Sequence, residues 1–389
     1  MYSLHLSAEQ LEFRDTVRDF VTQEIKPVVL KAERLDACDR RLPIDLLDKA
    51  ARLGLRTLAL SEAAGGAGAD SLSSCIVTEE LAAGDADIAA VLSQTSALAP
   101  LLFDRLMTPA QRERFLPQFL ADDRYHLALV DPAAEVALGI NYHRPVTDPA
   151  ETITATRAGD VIILTGAQAN VANAPVAKLF VVHVSGELLL VPCDTPGLAV
   201  REPADRWFHG AAGEVVLDNC RVGADALLSG SLGAAVPLSA ALNLGIGRAA
   251  YEAALDYTQL RVQGGRRIIE HQAIATILAE IAIKLEASRA LVWRAAWASD
   301  HPEAHADRSL PDLPLATIAR VYTAQAVYAA AKGAAECFGA MGVMRDMPLQ
   351  KYVHDALICL HTGVGASDDT LRIAEALAGY RRSALQAAE

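Results

Sequence analysis

No stretch of this chain reaches the ~18 uninterrupted apolar residues that a membrane-spanning helix needs, although hydrophobic residues fill 52% of its 389 positions. Its opening, MYSLHLSAEQ, lacks a basic segment followed by an apolar core, so the reading is a soluble, cytoplasmic protein. Positive charge is in deficit. The formal net charge of -13 argues against nucleic acid or an anionic membrane surface as the main partner, since both need basic patches. Any phosphate ligand must therefore be held by a few placed groups. The six cysteines, Cys38, Cys75, Cys193, Cys220, Cys337 and Cys359, form no CxxC pair, which argues for reduced thiols over a disulfide framework or a zinc site, and no metal centre is expected.

What is present is ample length and two changes of hydrophobic period. A chain of 389 residues exceeds one ordinary core, so two or three domains or layers are expected. Ser7 reads as the cap of an opening helix with Leu11, Val17, Phe20, Val21 and Ile25 at helical spacing, and 43–58 reads as a second helix. Gly65, Gly66 and Gly68 lie in a loop; no strand precedes them in a βαβ unit, so they are no dinucleotide fingerprint. Helical patterns run from 71 to about 120. Near Leu127 the period changes: ETITATR, DVIILTG, AKLFVVHV, ELLLVP, LAVRE and GEVVLDNC are short β-branched runs between turn residues, the signature of antiparallel strands. From about 229 long helices return, including an apolar one over 232–250. The expected division is an N-terminal all-α domain over 1–125, a middle antiparallel β domain over 126–228, and a C-terminal, four-helix-bundle-like α domain over 229–389.

The stretch 339–372 joins a helix rich in small residues to the glycine-broken loop HTGVGAS and a last helix, with Ser367, Asp368 and Asp369 as cap and first-turn residues. Such a junction suits a flat ligand or a phosphate, and equally a plain turn.

Taken in order, the motifs resemble the acyl-CoA dehydrogenase family over some 370 residues. LSAEQLEFRDTVRDFVTQEIKP is similar to the family's opening helix, and GLRTLALSEAAGGAGAD to its "GL…PEEYGGLG" turn. TEELAAGDADIA and DRWFHGAAGEVVLDNCRVGADALL follow in the expected places. The segment from Arg261 to Gln272 resembles "RxxFGxxIxxxQ", with Gly264 in place of Phe; GAAECFGAMGV resembles "AxQxxGGxGY" and DMPLQKYVHDA resembles "YPxERxxRDA". The resemblance implies FAD as cofactor, an acyl-CoA thioester as substrate, and α,β-dehydrogenation, in which a carboxylate removes the α-proton while the β-hydrogen leaves as hydride to the flavin.

Several positions depart from the family pattern. The usual base, a Glu eight residues after the Asp of "RDA", is replaced here: Asp355 carries the Asp role and Gly363 stands at the base position. The other family base position falls at about Ala235. Asp368, Asp369 and Glu135 are the remaining carboxylates considered as substitutes; capping and solvation explain them more simply, and Asp355 is expected in a salt bridge or cap. The "TEPGxGSD" loop appears as VDPAAEVA at 130–137, and the flavin-facing "WIT" strand as Asn170, Val171 and Ala172.

In the family, a neighbouring protomer lends its Arg and a Gln-Gly-Gly segment to each flavin's diphosphate and adenine end. The resemblance places Arg261, Glu336, Gly339 and Gly342 in that role, and counts Gln263 and Thr362 with them as cofactor-binding residues. Three readings follow. The chain is the non-base subunit of a heteromeric acyl-CoA dehydrogenase, such as those acting on bulky steroid-derived thioesters, partnered by a homologous subunit; or an active dehydrogenase, self-assembled, with a relocated base; or a flavin-dependent monooxygenase of the same fold.

Overall fold

The computed structural model describes residues 5–32, 35, 40–131, 152–203, 207–232, 236–361 and 366–378. Helix α1 (Ala8–Phe20) begins at a capping box in which Ser7 accepts the Gln10 N–H at 3.1 Å and Gln10 accepts the Ser7 N–H at 3.0 Å. A π-helical turn (Val21–Ile25) leads into α2 (Lys26–Val29). Next come α3 (Ile44–Arg52), α4 (Ser71–Gly84), α5 (Ala86–Ala99) and α6 (Pro109–Ala121), the last capped by Thr108 and Gln111. Helix α3 is shorter than the sequence reading of 43–58. After Arg52 the chain turns so that Arg56 is buried with its guanidinium 4.2 Å from the Phe119 ring centre, a placement that helical periodicity does not encode. The run Ala86–Leu106 is long and apolar enough to cross a membrane, yet 67% of its most apolar window is buried within the protein, as in a core helix.

Strand β1 (His126–Val130) stands where the period changes, outside the six β-branched runs, and those runs form β2 (Ile153–Ala158), β3 (Val161–Ala172), β4 (Ala177–Val184), β5 (Glu187–Pro192), β6 (Leu198–Arg201) and β7 (Ala212–Gly223). Helix α7 (Leu238–Leu260) lies further along the chain than the apolar stretch 232–250 suggested. A small hairpin of β8 (Val262–Gln263) and β9 (Arg266–Arg267) precedes α8 (Gln272–Asp300), α9 (Glu303–Ala306), α10 (Leu315–Phe338), α11 (Pro348–Cys359) and α12 (Ala366–Ala378). The order is helices, then strands, then helices.

By contact the chain forms two compact units, one drawn from 1–42, 71–90 and 235–376, the other from 43–70, 91–234 and 377–389. The second unit holds two sheets, ordered β1-β4-β5 and β2-β3-β7-β6. One pair corrects the antiparallel expectation: β1 and β4 run parallel, whereas β2–β3, β3–β7, β4–β5 and β6–β7 are antiparallel. The turn residues that mark hairpins lie between neighbours in sequence, and β1 reaches β4 only across β2 and β3. The three-stranded sheet is covered on both faces. Leu127, Leu179, Val181, Leu188 and Leu190 pack with Phe103, Phe115 and Phe119, while Ala128, Val130, Phe180, Val182, Leu189 and Val191 pack with Ile162, Leu164, Val215 and Leu217 of the second sheet. Burial on both faces explains why LALV, LFVV and LLLV read as continuous apolar runs, while β3 in the other sheet alternates.

In the helical unit α7 and α10 run parallel. Asn243 meets Thr323, Gly247 packs on Val327, and Tyr257 stacks on Phe338 at 4.0 Å, so contacts advance together along both helices. Helix α8 runs against them, Leu285 packing on Gly247 and Ile281 on Gly333. The C-termini of α7 and α10 and the N-terminus of α8 therefore share one end, the end that carries the hairpin.

Candidate functional site

Two charged regions of the helical unit contain Asp355 and Arg261, two of the residues singled out in the sequence. The first is enclosed. Asp355 is 0% exposed; its carboxylate accepts from Lys351 Nζ at 2.7 Å, one turn away, and from Arg40 at 2.8 Å. Arg40 Nε also lies 3.3 Å from Asp87, and Lys351 lies 3.7 Å from Asp85. Burial opposes the Arg40 charge, but Asp355 and Asp87 outweigh it and hold the guanidinium above its ordinary value. Asp85 is pushed up chiefly by burial, while its Oδ1 caps α5 by accepting the Asp87 and Ile88 N–H groups. Asp355 thus does what the sequence suggested: it makes a structural ion pair. A second cluster, Glu79 and Glu80 with Arg18, Arg248 and Arg289, is built the same way. Burial alone would raise the Glu80 carboxyl, but hydrogen bonds from Arg248 and Arg18 hold it below the usual range.

The other region is open. Arg261 leaves α7 with its N–H still bonded to Tyr257 O at 2.9 Å and enters the β8–β9 hairpin, whose register pairs Val262 with Arg267 and Gln263 with Arg266. The two-residue turn is Gly264-Gly265 at φ 62° and 79°, which a side chain at either position would strain. Here Gly264 replaces the family's Phe, and His271 Cε1 lies 3.3 Å from where its Cβ would be. His271 braces the loop: Nε2 donates to Gln263 O at 3.0 Å, while Arg266 donates to Nδ1 at 3.3 Å. The two-residue alternation of strands puts Arg261, Gln263 and Arg266 on one face. Among the described residues neither Arg261 nor Arg267 has a carboxylate partner. Leu260 and Val262 beside them are 81% and 56% exposed.

The 339–343 turn sits at the same end. Gly339 takes φ 58°, and a Cβ on Gly342 would fall 2.4 Å from the Ala335 carbonyl oxygen, so the close approach of this turn to α10 requires glycine. Glu336 is exposed, 4.0 Å from Lys332, and Val343 and Met344 are 77% and 47% exposed. The structure thus gathers Arg261, Gln263, Glu336, Gly339 and Gly342 at one end of the helices. Thr362, Gly363, Glu135 and Ala235 lie outside the described residues, as does the Asp368 side chain. Asp369 is buried against Arg320. Asn170 adopts φ 55° at the exposed end of β3, followed by buried Val171. The second unit has a groove of about 710 Å³, lined by residues such as Arg114, Phe115 and Arg221 and by none of the candidate base or cofactor residues.

Sequence reading missed Arg40, the Glu79–Glu80 cluster and Arg56. The i,i+4 spacing of Lys351 and Asp355 was a readable signal; partners hundreds of residues apart left none.

The donor set of the hairpin suits the diphosphate of a dinucleotide cofactor: an unpaired guanidinium fork, an exposed amide and a second arginine on one strand face. The 170–172 strand end offers neither the indole nor the hydroxyl of the family's flavin-facing strand. Residues 7–123 match the acyl-CoA dehydrogenase N-terminal domain, and residues 223–376 match the acyl-CoA dehydrogenase C-terminal domain. The chain is 28% identical over 380 residues to the mitochondrial short-chain specific acyl-CoA dehydrogenase of Bos taurus, covering 92% of this chain and 87% of that protein. Its fold matches butyryl-CoA dehydrogenase from Megasphaera elsdenii at a TM-score of 0.79 and 24% identity, over 97% of this chain and all of that one (100%). Glutaryl-CoA dehydrogenase from Mycobacterium smegmatis matches at 0.78 and 26% identity, over 96% of each chain. With both domain matches in place and the motifs in order between and within them, the chain belongs to the acyl-CoA dehydrogenase family.

Proposed function

We propose that this chain serves as one subunit of an FAD-dependent acyl-CoA dehydrogenase, assembled with a homologous partner that supplies the Glu base. The observation that carries the reading is the asymmetry between its sites. The end bearing Arg261 and Gln263 keeps unpaired donors beside exposed Leu260, Val262, Val343 and Met344, whereas Gly363 and Ala235 occupy both family base positions. Arg261 and Gln263 would hold the diphosphate of a flavin carried mainly by the partner, with the Gly339 and Gly342 turn beside them. When bound, FAD supplies the hydride acceptor. A relocated base on this chain has less support: of the carboxylates considered for it, Asp369 is buried against Arg320.

Flavin stoichiometry after co-expression tests the proposal. The complex should hold about one FAD per two chains, and the chain alone should reduce flavin with a saturated acyl-CoA some 10²–10⁴-fold more slowly than the complex. Arg261→Ala should weaken FAD in the complex by about 10- to 150-fold, the equivalent of about 1.5–3 kcal/mol. A homo-oligomer with one tight FAD per subunit that bleaches rapidly would overturn the reading in favour of a relocated base. Oxygen-dependent hydroxylation by the chain alone would overturn it in favour of a monooxygenase.

A further inference from the structure

His271 is the residue from which α8 starts, a place where a polar side chain usually caps the helix, yet its ring makes no capping bond. Its backbone is fixed all the same: the N–H is bonded to Ile268 O at 3.1 Å, and the carbonyl accepts from Ile274 and Ala275, both at 3.0 Å. The ring reaches back to the hairpin instead. Nε2 lies 3.0 Å from Gln263 O, and Nδ1 lies 3.3 Å from Arg266 Nη2. These partners decide which nitrogen carries the hydrogen. A carbonyl oxygen can only accept and a guanidinium can only donate, so the hydrogen sits on Nε2 and the lone pair on Nδ1. With both nitrogens engaged, the neutral imidazole has neither left for a ligand.

The two contacts matter differently. The hairpin backbone keeps its course without the ring, because Gln263 pairs with Arg266 in the ladder and the Ile268 N–H is bonded to Arg261 O at 2.8 Å. The Arg266 guanidinium has no such support. Among the described residues His271 Nδ1 is its one hydrogen-bond acceptor, and no carboxylate lies within ion-pair distance of it. Gly264 makes room for the ring. His271 Cε1 and Nε2 lie 3.3 and 3.5 Å from where a Cβ would be, so the imidazole packs on a bare turn where the family pattern has Phe.

We propose that His271 is a positioning residue: it holds the Arg266 guanidinium on the hairpin face shared with Arg261 and Gln263, ready for a diphosphate, and does not itself touch the cofactor. The role rests on the reading of this hairpin as a diphosphate holder. An arginine free to turn loses that freedom when it closes on an anion. One already held by a neighbour loses less, and the difference appears as affinity.

Nitrogen NMR of the full chain with labelled histidine rings, in mildly alkaline solution, tests the pairing. His271 should show its hydrogen on Nε2 and a bare Nδ1, and the Nδ1 signal should move in Arg266→Ala. FAD titration of the complex formed on co-expression with the partner tests the role. His271→Ala should weaken FAD about 3- to 10-fold, and should cost almost nothing further once Arg266→Ala is present, because the ring acts through that side chain. Added to Arg261→Ala, its cost should appear in full. A hydrogen on Nδ1, or an Nδ1 signal indifferent to Arg266→Ala, overturns the pairing. Unchanged FAD affinity in His271→Ala overturns the role, as does a cost equally large with and without Arg266, which would mean direct contact or general support of the fold. Failure of the underlying reading looks different: Arg261→Ala would leave FAD affinity unchanged, and the role would fall with it while the nitrogen signals still reported the pair. If His271→Ala does not fold, His271→Gln takes its place in the cycle.

Discussion

Arg40 and Arg261 belong to the same helical unit and carry the same side chain, yet their surroundings are opposites. Arg40 is 6% exposed between Asp87 and Asp355, whereas Arg261 stands on an exposed hairpin with no carboxylate among the described residues. A guanidinium sealed with its counter-charges is committed to the fold, since taking it from water without them costs several kcal/mol. One left outside, next to exposed apolar side chains, contributes little to folding and is available to an anion from elsewhere. Two motif residues of the family, Asp355 and Arg261, thus persist for different physical reasons.

The largest effect expected to separate the two regions is Asp355→Asn. Lys351 and Arg40 would lose their shortest contacts, and stability to denaturant should drop by about 3 kcal/mol, the lower end for a broken buried pair because Asp85 and Asp87 remain. A drop below about 1 kcal/mol would place this cluster with the surface pairs and dissolve the contrast. Gly342→Ala comes next and tests whether the turn beside the hairpin is built as tightly as the interior. With a carbonyl oxygen 2.4 Å from the new methyl group, the turn must shift, and a cost of about 1–3 kcal/mol is expected; an unchanged midpoint would mean the turn is slack. The smallest effect is Arg261→Ala, which should move unfolding stability by less than about 0.5 kcal/mol. A larger loss would show that Arg261 supports the fold, and the contrast with Arg40 would fail.

The sequence made the order of elements legible because two periods, near 3.6 and 2, alternate in long blocks, and Ser7 marked the cap of the first helix. It did not disclose that β1 pairs in parallel with β4, because an apolar run buried on both faces carries no sign of its partner's direction. Nor did the reading place the end of α3, where Gly54 at φ 79° closes a turn with Leu55 N–H bonded to Ala50 O at 3.2 Å, a stop that the glycine itself marks. At the site, Arg261 and the 339–342 glycines could be named from motif spacing alone, and Asp355 was rightly read as an ion-pair residue. Its partner Arg40 was invisible, since 315 residues separate them.

The shared end of α7, α8 and α10 also sets how charge is felt there. Two helix C-termini each bring roughly half a negative charge to that end, and one helix N-terminus brings roughly half a positive one. This background offsets part of the field of Arg261, Arg266 and Arg267. The helix ends sum to only about half a negative charge against three arginines, so most of the positive field remains, and an approaching anion is drawn in from a distance by an attraction that added salt weakens.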